Sequence, residues 1–353
     1  MKTRAAIQVE HHGPLVIDEL EVPTPKPDQV IVKIFYSGVC HSQLHQIHSP
    51  EHQRPLVMGH EATGVVTHKG KEVTHVNEGD HVIVTWVPRA LSGGRMKRVF
   101  PGTQYKGRPV HDVHVHTLAE DVLVKEQYVV SIPRDEPTDV TSIIGCAVLT
   151  GAGAVLNTAG VRPGDSVAVY GVGGVGLSAV GAAAVLDAYP IIAVDLRDDK
   201  LDFAKGFGAT HVVNSASQDP VEAIREISGG GVDYAFDAIG VRLTTEQILP
   251  STRPGGPGAD NQGGTAVLIG IPGSEMTLDP GMFMHDHRQY RGSLGATYPD
   301  RDFPMFLRWH HDGKFPLDKL VTRRYKLDEI NEAYKELAAG EILGRAIVEV
   351  KSV

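Results

Sequence analysis

Cysteine is scarce in this sequence, which has only two, Cys40 and Cys146, among 353 residues. Two cysteines make no disulfide framework, so the sequence predicts a reducing, cytoplasmic setting. A basic surface is also lacking, because the formal net charge is −9. Proteins that bind nucleic acids or anionic membranes usually need a basic face, so we expect neither partner. The N-terminal segment MKTRAAIQVEHHGPLVIDEL contains no apolar run of signal-peptide length.

One uncharged stretch, VAVYGVGGVGLSAVGAAAVL at 167–186, is nearly long enough to span a membrane. Its closely spaced glycines also occur in membrane helices. The alternative is a buried strand, a tight glycine turn and a buried helix. The following residues favour this alternative, because amphipathic elements of the soluble type come directly after the stretch.

The pattern of the chain predicts two domains. Short β-branched runs bounded by Gly, Asp and Asn make the N-terminal part β-rich. From about residue 160, strand-like runs alternate with helix-like runs, which indicates βαβ units and a parallel sheet. We therefore predict an α/β protein with a β-rich domain at 1–147 and 297–353. A doubly wound parallel-sheet domain is predicted at 148–296.

The turn YGVGGVG carries the pattern GxGxxG in Gly171, Gly173 and Gly176. It follows a strand-like run and opens a helix-like run, and the next strand ends at the acidic residue Asp195. The interval from Gly176 to Asp195 is close to the one typical of dinucleotide binding, in which the helix N-terminus receives the pyrophosphate. An acid at the Asp195 position favours NAD over NADP, although Arg197 nearby leaves NADP as an alternative.

A second group of residues has the chemistry of a metal site. His60 and Glu61 follow Cys40 in the block GHEATG, and Cys146 comes just before the dinucleotide unit. Two thiolates and one imidazole form a three-ligand zinc set that leaves the fourth position for water or an alcohol. Glu61 would take that position or lie behind it. Taken singly, each cysteine is better interpreted as a buried, inert thiol and His60 as a core histidine bonded to a carbonyl. Their joint placement beside a dinucleotide unit is what favours zinc.

Through the glycine turn and the candidate zinc ligands, the sequence resembles the zinc-dependent medium-chain alcohol dehydrogenases, members of the medium-chain dehydrogenase/reductase family. The resemblance covers nearly the whole chain. It rests on GVCHSQLH at 38–45, GHEATGVV at 59–66, the block from 145 to 177, VDLRDDKLDFAK at 194–205 and GRAIVEV at 344–350. It implies a GroES-like catalytic domain and a Rossmann cofactor domain.

The resemblance also implies roles for single residues. The three ligand candidates match the catalytic zinc ligands, and Glu61 matches an acid that can exchange onto the metal. Ser42 matches the hydroxyl that takes the alcohol proton, and His45 matches the outer end of the proton relay. These correspondences imply one catalytic zinc ion in each subunit.

Contacts to NAD are implied for a larger set. His41 and Arg345 match pyrophosphate contacts, Thr150 lies on the nicotinamide side, and Asp195 and Lys200 match ribose contacts. The full cofactor-binding set comprises His41, Thr150, Gly171, Val172, Gly173, Gly174, Val175, Gly176, Asp195, Lys200, Ala238, Ile239, Ile269, Gly270, Ile271 and Arg345.

The sequence departs from the family in two places. Most relatives have an acid at the position of Gln43, where it hydrogen-bonds the zinc-bound histidine; a neutral amide can still orient His60. Relatives often carry four cysteines in the lobe that corresponds to 88–116, and this chain has none there. A thiolate structural zinc is therefore excluded, and we interpret His111, His114 and His116 as solvated surface histidines.

These parts predict a zinc-dependent alcohol dehydrogenase, an oxidoreductase that transfers hydride reversibly between a primary or secondary alcohol and NAD. Zinc would act on the alcohol oxygen as a Lewis acid, and Ser42 would pass the proton towards His45. The alternatives are a polyol- or thiol-adduct-specific dehydrogenase, a zinc-free quinone or enoyl reductase, and a non-catalytic NAD-binding protein of the same fold.

The small-molecule partner is an alcohol or aldehyde, and Trp86 is a candidate for lining its pocket. We also expect a homodimer, or a tetramer built from dimers. The strand in GTAVLIGIPG at 264–273 matches the edge strand that the family pairs across a twofold axis. An unpaired apolar edge favours association in any case.

Overall fold

A computed structural model describes residues 1–89, 102–111, 115–273 and 275–351. The chain divides into two compact units. The first unit comprises Met1–Cys146, Tyr298–Pro304 and Val321–Val353, and the second comprises Ala147–Thr297 and Met305–Leu320.

The described residues form strands and helices throughout. The strands are β1 (Lys2–Gln8), β2 (Leu15–Glu21), β3 (Gln29–Val39), β4 (Leu56–Val57), β5 (Glu61–Lys69), β6 (His81–Thr85), β7 (Gln104–Tyr105), β8 (Arg108–Pro109), β9 (Asp121–Lys125), β10 (Val129–Ser131), β11 (Val167–Tyr170), β12 (Ile191–Asp195), β13 (His211–Asn214), β14 (Tyr234–Asp237), β15 (Thr265–Leu268), β16 (Gln289–Gly292), β17 (Val321–Lys326) and β18 (Arg345–Glu349). The helices are α1 (His41–His48), α2 (Thr138–Thr141), α3 (Leu149–Gly153), α4 (Gly174–Val185), α5 (Asp198–Lys205), α6 (Pro220–Ser228), α7 (Arg242–Gln247), α8 (Pro280–Met284), α9 (Pro299–His311), α10 (Leu317–Leu320) and α11 (Ile330–Ala338). Short 3₁₀ turns occur at Glu126–Tyr128 and Leu327–Glu329, and π-helical turns at Ile144–Val148 and Ala154–Ala159.

The first unit is built on two sheets. One has the strand order β4-β1-β2-β7-β8, and the other has β10-β6-β5-β3-β18-β17 with β9 also paired to β3. Side chains alternate between the faces of a strand, so Val30, Val32 and Ile34 of β3 all enter one apolar core. This unit agrees with the β-rich character predicted for the N-terminal part of the chain.

The pairing of β3 with β5 positions two of the ligand candidates. The strands are antiparallel, and Ser37 lies opposite Ala62. Cys40 directly follows β3 and His60 directly precedes β5. The end of one antiparallel strand lies beside the start of its neighbour, so both residues lie at the same end of these two strands.

The second unit contains a six-stranded sheet in the order β13-β12-β11-β14-β15-β16. Every adjacent pair in it is parallel. This is the doubly wound order 3-2-1-4-5-6, and the strand order reverses between β11 and β14. The predicted fold class, a β-rich domain with a doubly wound parallel-sheet domain, is confirmed.

The apolar stretch at 167–186 is not a membrane helix. It forms the four-residue strand β11 and the twelve-residue helix α4, both of which are buried. A different helical segment, Thr138–Ala159, is long and apolar enough to cross a membrane by length and composition. Of its most apolar window, 83% is buried, which is typical of a core helix.

The predicted domain boundary near the C-terminus differs from the division of the chain into compact units. It placed all of 297–353 in the β-rich domain, whereas residues 305–320 belong to the second unit. Phe315 explains the difference, because its side chain is completely buried. A Cβ atom added to Gly181 of α4 would lie 2.5 Å from its ring, so this aromatic residue anchors the segment on the helix.

The predicted sheet edge is wrong. β15, the strand of GTAVLIGIPG, lies between β14 and β16, so the edge strand on its side of the sheet is β16. The apolar character of β15 on both faces is that of an internal strand in a parallel sheet. β16 is short, and it carries the exposed residues Arg291 and Gly292.

Candidate metal and dinucleotide sites

Three side chains of the first unit converge on one point. The sulfur atoms of Cys40 and Cys146 and a ring nitrogen of His60 all lie within 4.8 Å of one another. The His60 Nε2 atom is 3.2 Å from the Cys146 Sγ atom. Tetrahedral zinc holds neighbouring S and N ligand atoms roughly 3.5–3.8 Å apart, so this donor set fits a zinc ion with small adjustments.

Cys146 reaches this point from an unusual piece of helix. It lies in the π-helical turn Ile144–Val148, a backbone form that is often found at functional sites. The Thr85 hydroxyl at the end of β6 donates a 2.8 Å hydrogen bond to the carbonyl oxygen of Gly145. The residue next to the ligand is therefore tied to the central sheet.

Each of the two thiols shifts the pKa of the other. A hydrogen bond from the Cys146 thiol holds the pKa of Cys40 well below its usual value, and the positive charge of Arg345 acts in the same direction. The pKa of Cys146 is raised well above its usual value by the hydrogen bond to Cys40 and by burial. Two cysteine sulfurs beside an imidazole are a donor set that suits zinc.

A buried ion pair lies beside the ligand cluster. The Arg345 guanidinium donates through Nη2 to the Glu61 carboxylate, and neither side chain is more than 6% exposed. Pairing of β18 with β3 sets Ala346 opposite Val39, which brings Arg345 to the position of Cys40. Glu61 is outside the three-ligand cluster in this geometry, because its carboxylate is engaged by the guanidinium. Burial lowers the pKa of Arg345, but the nearby negative charges, that of Glu61 first and those of Cys40 and Cys146 after it, raise the pKa by more. The net shift is upward, so the guanidinium stays charged.

The proton-relay candidates lie on α1. The Ser42 hydroxyl donates a 3.1 Å hydrogen bond to the Cys40 sulfur, so it lies directly beside the ligand cluster. His45 is exposed one turn further along, and its ring centroid is 5.6 Å from that of His41. Both histidines border a cavity of about 430 Å³, which is lined by His41, Leu44, His45, His48, Ser49 and Ala338.

Gln43 does not contact His60 in the way the sequence predicted. Its amide oxygen accepts hydrogen bonds from the backbone N–H of Cys40 and from the Tyr334 hydroxyl. Its amide nitrogen is buried and forms no hydrogen bond within the described part of the chain. The amide therefore holds the backbone of one ligand rather than the imidazole of another.

The histidines of the cysteine-free lobe are only partly described. His114 lies outside the described residues, and His111 forms an isolated bridge with Leu56. His116 is 1% exposed, so the interpretation of it as a solvated surface residue is wrong. Among the described residues, the group of Cys40, His60 and Cys146 is the metal-ligating cluster found.

The glycine turn of the second unit has the geometry that its sequence implies. Gly171 has a φ of +83°, a conformation that suits glycine in the tight turn after β11. A Cβ atom on Gly176 would lie 1.8 Å from the Gly171 carbonyl oxygen, so helix and turn pack too closely for any side chain. A Cβ atom on Gly173 would meet no atom within 4 Å, which leaves this side of the helix N-terminus open to a ligand.

Asp195 closes the same turn from the end of β12. Its carboxylate accepts hydrogen bonds from the backbone N–H groups of Val172 at 3.0 Å, Leu196 at 2.8 Å and Arg197 at 3.3 Å. A carboxylate has about four lone-pair sites, so capacity remains for a ribose hydroxyl. Arg197 is occupied by an ion pair with Asp199, which reduces its availability for a 2′-phosphate.

The other predicted cofactor residues of this unit lie around the carboxyl ends of the parallel strands. Ile239 follows β14 and is 42% exposed, and Ile271 follows β15 and is 49% exposed. Leu196, directly after β12, is 66% exposed and is a further candidate that the sequence prediction left out. Its position next to Asp195 is the signal that could have found it, since doubly wound folds bind ligands at this end of the sheet. Thr150 has a buried hydroxyl without a hydrogen bond to any described residue.

Comparisons with known proteins point to one enzyme family. Two family models match the chain: the alcohol dehydrogenase GroES-like domain over residues 26–134 and the zinc-binding dehydrogenase over residues 174–312. The S-(hydroxymethyl)glutathione dehydrogenase of Escherichia coli O139:H28 is 33% identical over 98% of this chain and all of that protein. The protein of the same name from Paracoccus denitrificans is 32% identical over 99% of this chain and all of that protein. Among solved structures, benzyl alcohol dehydrogenase from Acinetobacter calcoaceticus matches with a TM-score of 0.89 at 31% identity, over 99% of this chain and 100% of that chain.

Proposed function

Because the chain belongs to the zinc-dependent medium-chain alcohol dehydrogenase family, we propose that it transfers hydride reversibly between a primary or secondary alcohol and NAD. In this proposal one zinc ion is held by Cys40, His60 and Cys146. The observation that carries it is the convergence of these three donors within 4.8 Å in a chain that also has an open glycine turn. A zinc-free reductase and a non-catalytic NAD-binding protein leave this donor set without a purpose.

The residues around the cluster support a proton path. When bound, zinc supplies Lewis acidity to the alcohol oxygen and NAD accepts the hydride. The Ser42 hydroxyl, already next to the Cys40 sulfur, is placed to take the alcohol proton. His45 is exposed on the same helix and would pass the proton to water. Buried Glu61 and Arg345 neutralise each other beside the metal cluster.

The names of the relatives suggest two classes of substrate. The relatives named S-(hydroxymethyl)glutathione dehydrogenase favour a thiol adduct, and the structural neighbour named benzyl alcohol dehydrogenase favours an aromatic alcohol. Trp86 directly follows Thr85, which is bonded to the residue before Cys146, so its indole lies on the segment that leads to the metal ligands. We propose that Trp86 lines the substrate pocket.

We further propose that the protein is cytoplasmic and forms a homodimer or a tetramer built from dimers.

The purified protein should contain one zinc ion per chain and form NADH with an alcohol substrate. Chelation should stop turnover while leaving the far-UV circular dichroism nearly unchanged, because the sequence has no cysteine left for a structural zinc site and the described residues contain no second metal-ligating cluster. Elemental analysis, a panel of simple alcohols, benzyl alcohol and glutathione with formaldehyde, and the dichroism spectrum check this on one sample. Zinc added back should restore activity. Two tightly held zinc ions, or unfolding on chelation, would contradict it.

Asp195 should set the preference for NAD over NADP. Replacing it by Ser removes the negative charge that would repel a 2′-phosphate, and it weakens the ribose contacts. The ratio of kcat/KM values for NAD and NADP should fall by about 10- to 100-fold, which corresponds to roughly 1.4–2.8 kcal/mol. Asp202→Ser, an exposed acid of α5 that is paired with Lys205, is the matched control and should leave the ratio unchanged. A wild-type protein that prefers NADP would contradict the assignment.

A further inference from the structure

Gln43 is the third residue of α1, and Cys40 is the residue that caps this helix. The Gln43 side chain is completely buried. Its amide oxygen accepts the backbone N–H of Cys40 at 2.9 Å, which is the contact that a glutamine at the third helical position makes in a capping box. The cap residue in this case is also a candidate metal ligand, so the capping bond acts directly on the metal site.

A second donor fixes the orientation of the amide. The Tyr334 hydroxyl, from α11, lies 3.1 Å from the same oxygen, although 291 residues separate Tyr334 from Gln43 in the sequence. Tyr334 is 5% exposed. Burial raises the pKa of its phenol, and the negative charge of Cys40 raises it further, so the hydroxyl keeps its proton and donates. Two donors on one oxygen determine which end of the amide faces Cys40.

We propose that Gln43 and Tyr334 are a positioning pair that holds Cys40 in place and thereby sets how long zinc stays bound. This inference rests on the proposed zinc site. Cys40 has an extended backbone conformation, with φ of −117° and ψ of 141°, between β3 and α1. Its backbone N–H is the point where the pair attaches, and the sulfur can then move only by rotation of the side chain. Residues that orient metal ligands typically change metal affinity by about 10- to 100-fold when they are removed.

The neutral amide suits this position for two reasons. A glutamine is long enough to reach back from the third helical position to the cap, which a shorter aspartate does less well. The site also already contains the buried Glu61 carboxylate, whose charge Arg345 compensates. A further buried carboxylate would add an uncompensated negative charge, which is costly in a low-dielectric interior.

The first test replaces Tyr334 by Phe and measures the rate of zinc release from the zinc-loaded protein to a chromogenic chelator. We expect release about 10-fold faster than in the wild type. Tyr325→Phe is the matched control, because the Tyr325 hydroxyl also donates a partly buried hydrogen bond, at 2.6 Å, to Glu336 of helix α11. The control should release zinc at the wild-type rate. A wild-type release rate in Tyr334→Phe would overturn the inference.

The second test asks whether Tyr334 acts through Gln43. Gln43→Leu removes both acceptor contacts at similar volume and should also speed release about 10-fold. The double variant should release zinc no faster than Gln43→Leu alone, because the hydroxyl has then lost its acceptor. If the two increases in release rate multiply in the double variant, the inference is overturned. Should Gln43→Leu fail to fold, the comparison of Tyr334→Phe with Tyr325→Phe decides alone.

A spectroscopic signature separates positioning from general stability. The cobalt-substituted protein should show a shifted thiolate-to-metal absorption band in Tyr334→Phe, and an unshifted band in Tyr325→Phe. An unshifted band in both variants would count against the pair. A wild-type protein that takes up neither zinc nor cobalt would refute the proposed function itself. Tight metal binding in the wild type, with no change in Tyr334→Phe, would refute only the positioning pair.

Discussion

Cys40→Ala and Cys146→Ala should each lower kcat/KM for alcohol oxidation by at least about 1000-fold, because Lewis-acid stabilisation of the reacting oxygen is worth several kcal/mol. Each variant removes one of three donors that lie within 4.8 Å of one another. NAD binding should remain, since the glycine turn belongs to the other unit. NADH formation measures the first effect, and a fluorescence titration with NADH measures the second.

The controls are the buried neighbours of these two residues. Val39→Ala and Val148→Ala remove apolar atoms from side chains that are 1% and 0% exposed, without removing a donor. They should lower thermal stability and keep most of the activity. The zinc content should fall in the cysteine variants and stay near one ion per chain in the controls. Near wild-type turnover in either cysteine variant would remove the zinc mechanism.

Alanine substitutions at Gly176 and Gly173 should distinguish an effect on the fold from an effect on NAD binding alone. Gly176→Ala places a Cβ atom 1.8 Å from the Gly171 carbonyl oxygen, so α4 must move away from the turn. We expect NAD affinity to fall by more than about 100-fold, with a lower Tm, because the helix N-terminus no longer faces the pyrophosphate position. Gly173→Ala meets no atom within 4 Å and should keep the wild-type Tm.

Gly173→Ala should nevertheless weaken NAD binding, by about 10-fold or more, because its methyl group occupies the space where the pyrophosphate approaches the backbone. Gly292→Ala, another position with no atom within 4 Å of the added Cβ, is the control and should bind NAD normally. Calorimetric titration with NAD and thermal unfolding measure the two quantities on the same samples. Unchanged NAD affinity in Gly173→Ala would place the cofactor elsewhere.

The doubly wound sheet could be predicted because the sequence pattern that indicates it lies within a short segment. The run VAVYG, the glycine turn and Asp195 all lie in the single segment 167–195, and each obeys a rule of short range. The ligand candidates could be selected because cysteine is so rare in this chain. The structure brings Cys40, His60 and Cys146 together, and their role in binding zinc remains a prediction.

Contacts between distant parts of the chain carried no such signal. The pairs Glu61–Arg345 and Gln43–Tyr334 are 284 and 291 residues apart, and they form only because β18 and α11 return to the first unit. The edge strand was predicted wrongly for a related reason. β15 has the stronger apolar pattern, and β16 is four residues long with two of them exposed, so composition alone favoured the wrong strand.

The π-helical turn at Ile144–Val148 makes the metal cluster sensitive to insertions and deletions as well as to substitutions. The helix before it is fastened to β5 by a 2.8 Å hydrogen bond between the hydroxyls of Thr141 and Thr63. A π turn holds one residue more than an α turn, so deleting one residue from 144–148 would let the backbone return to α geometry. Each residue of an α-helix turns the chain by about 100°, so the direction of the Cys146 side chain relative to Thr141 depends on the number of residues between them. The length of this segment is therefore a constraint of its own, and a family member that changed it would need a compensating insertion within the same helix.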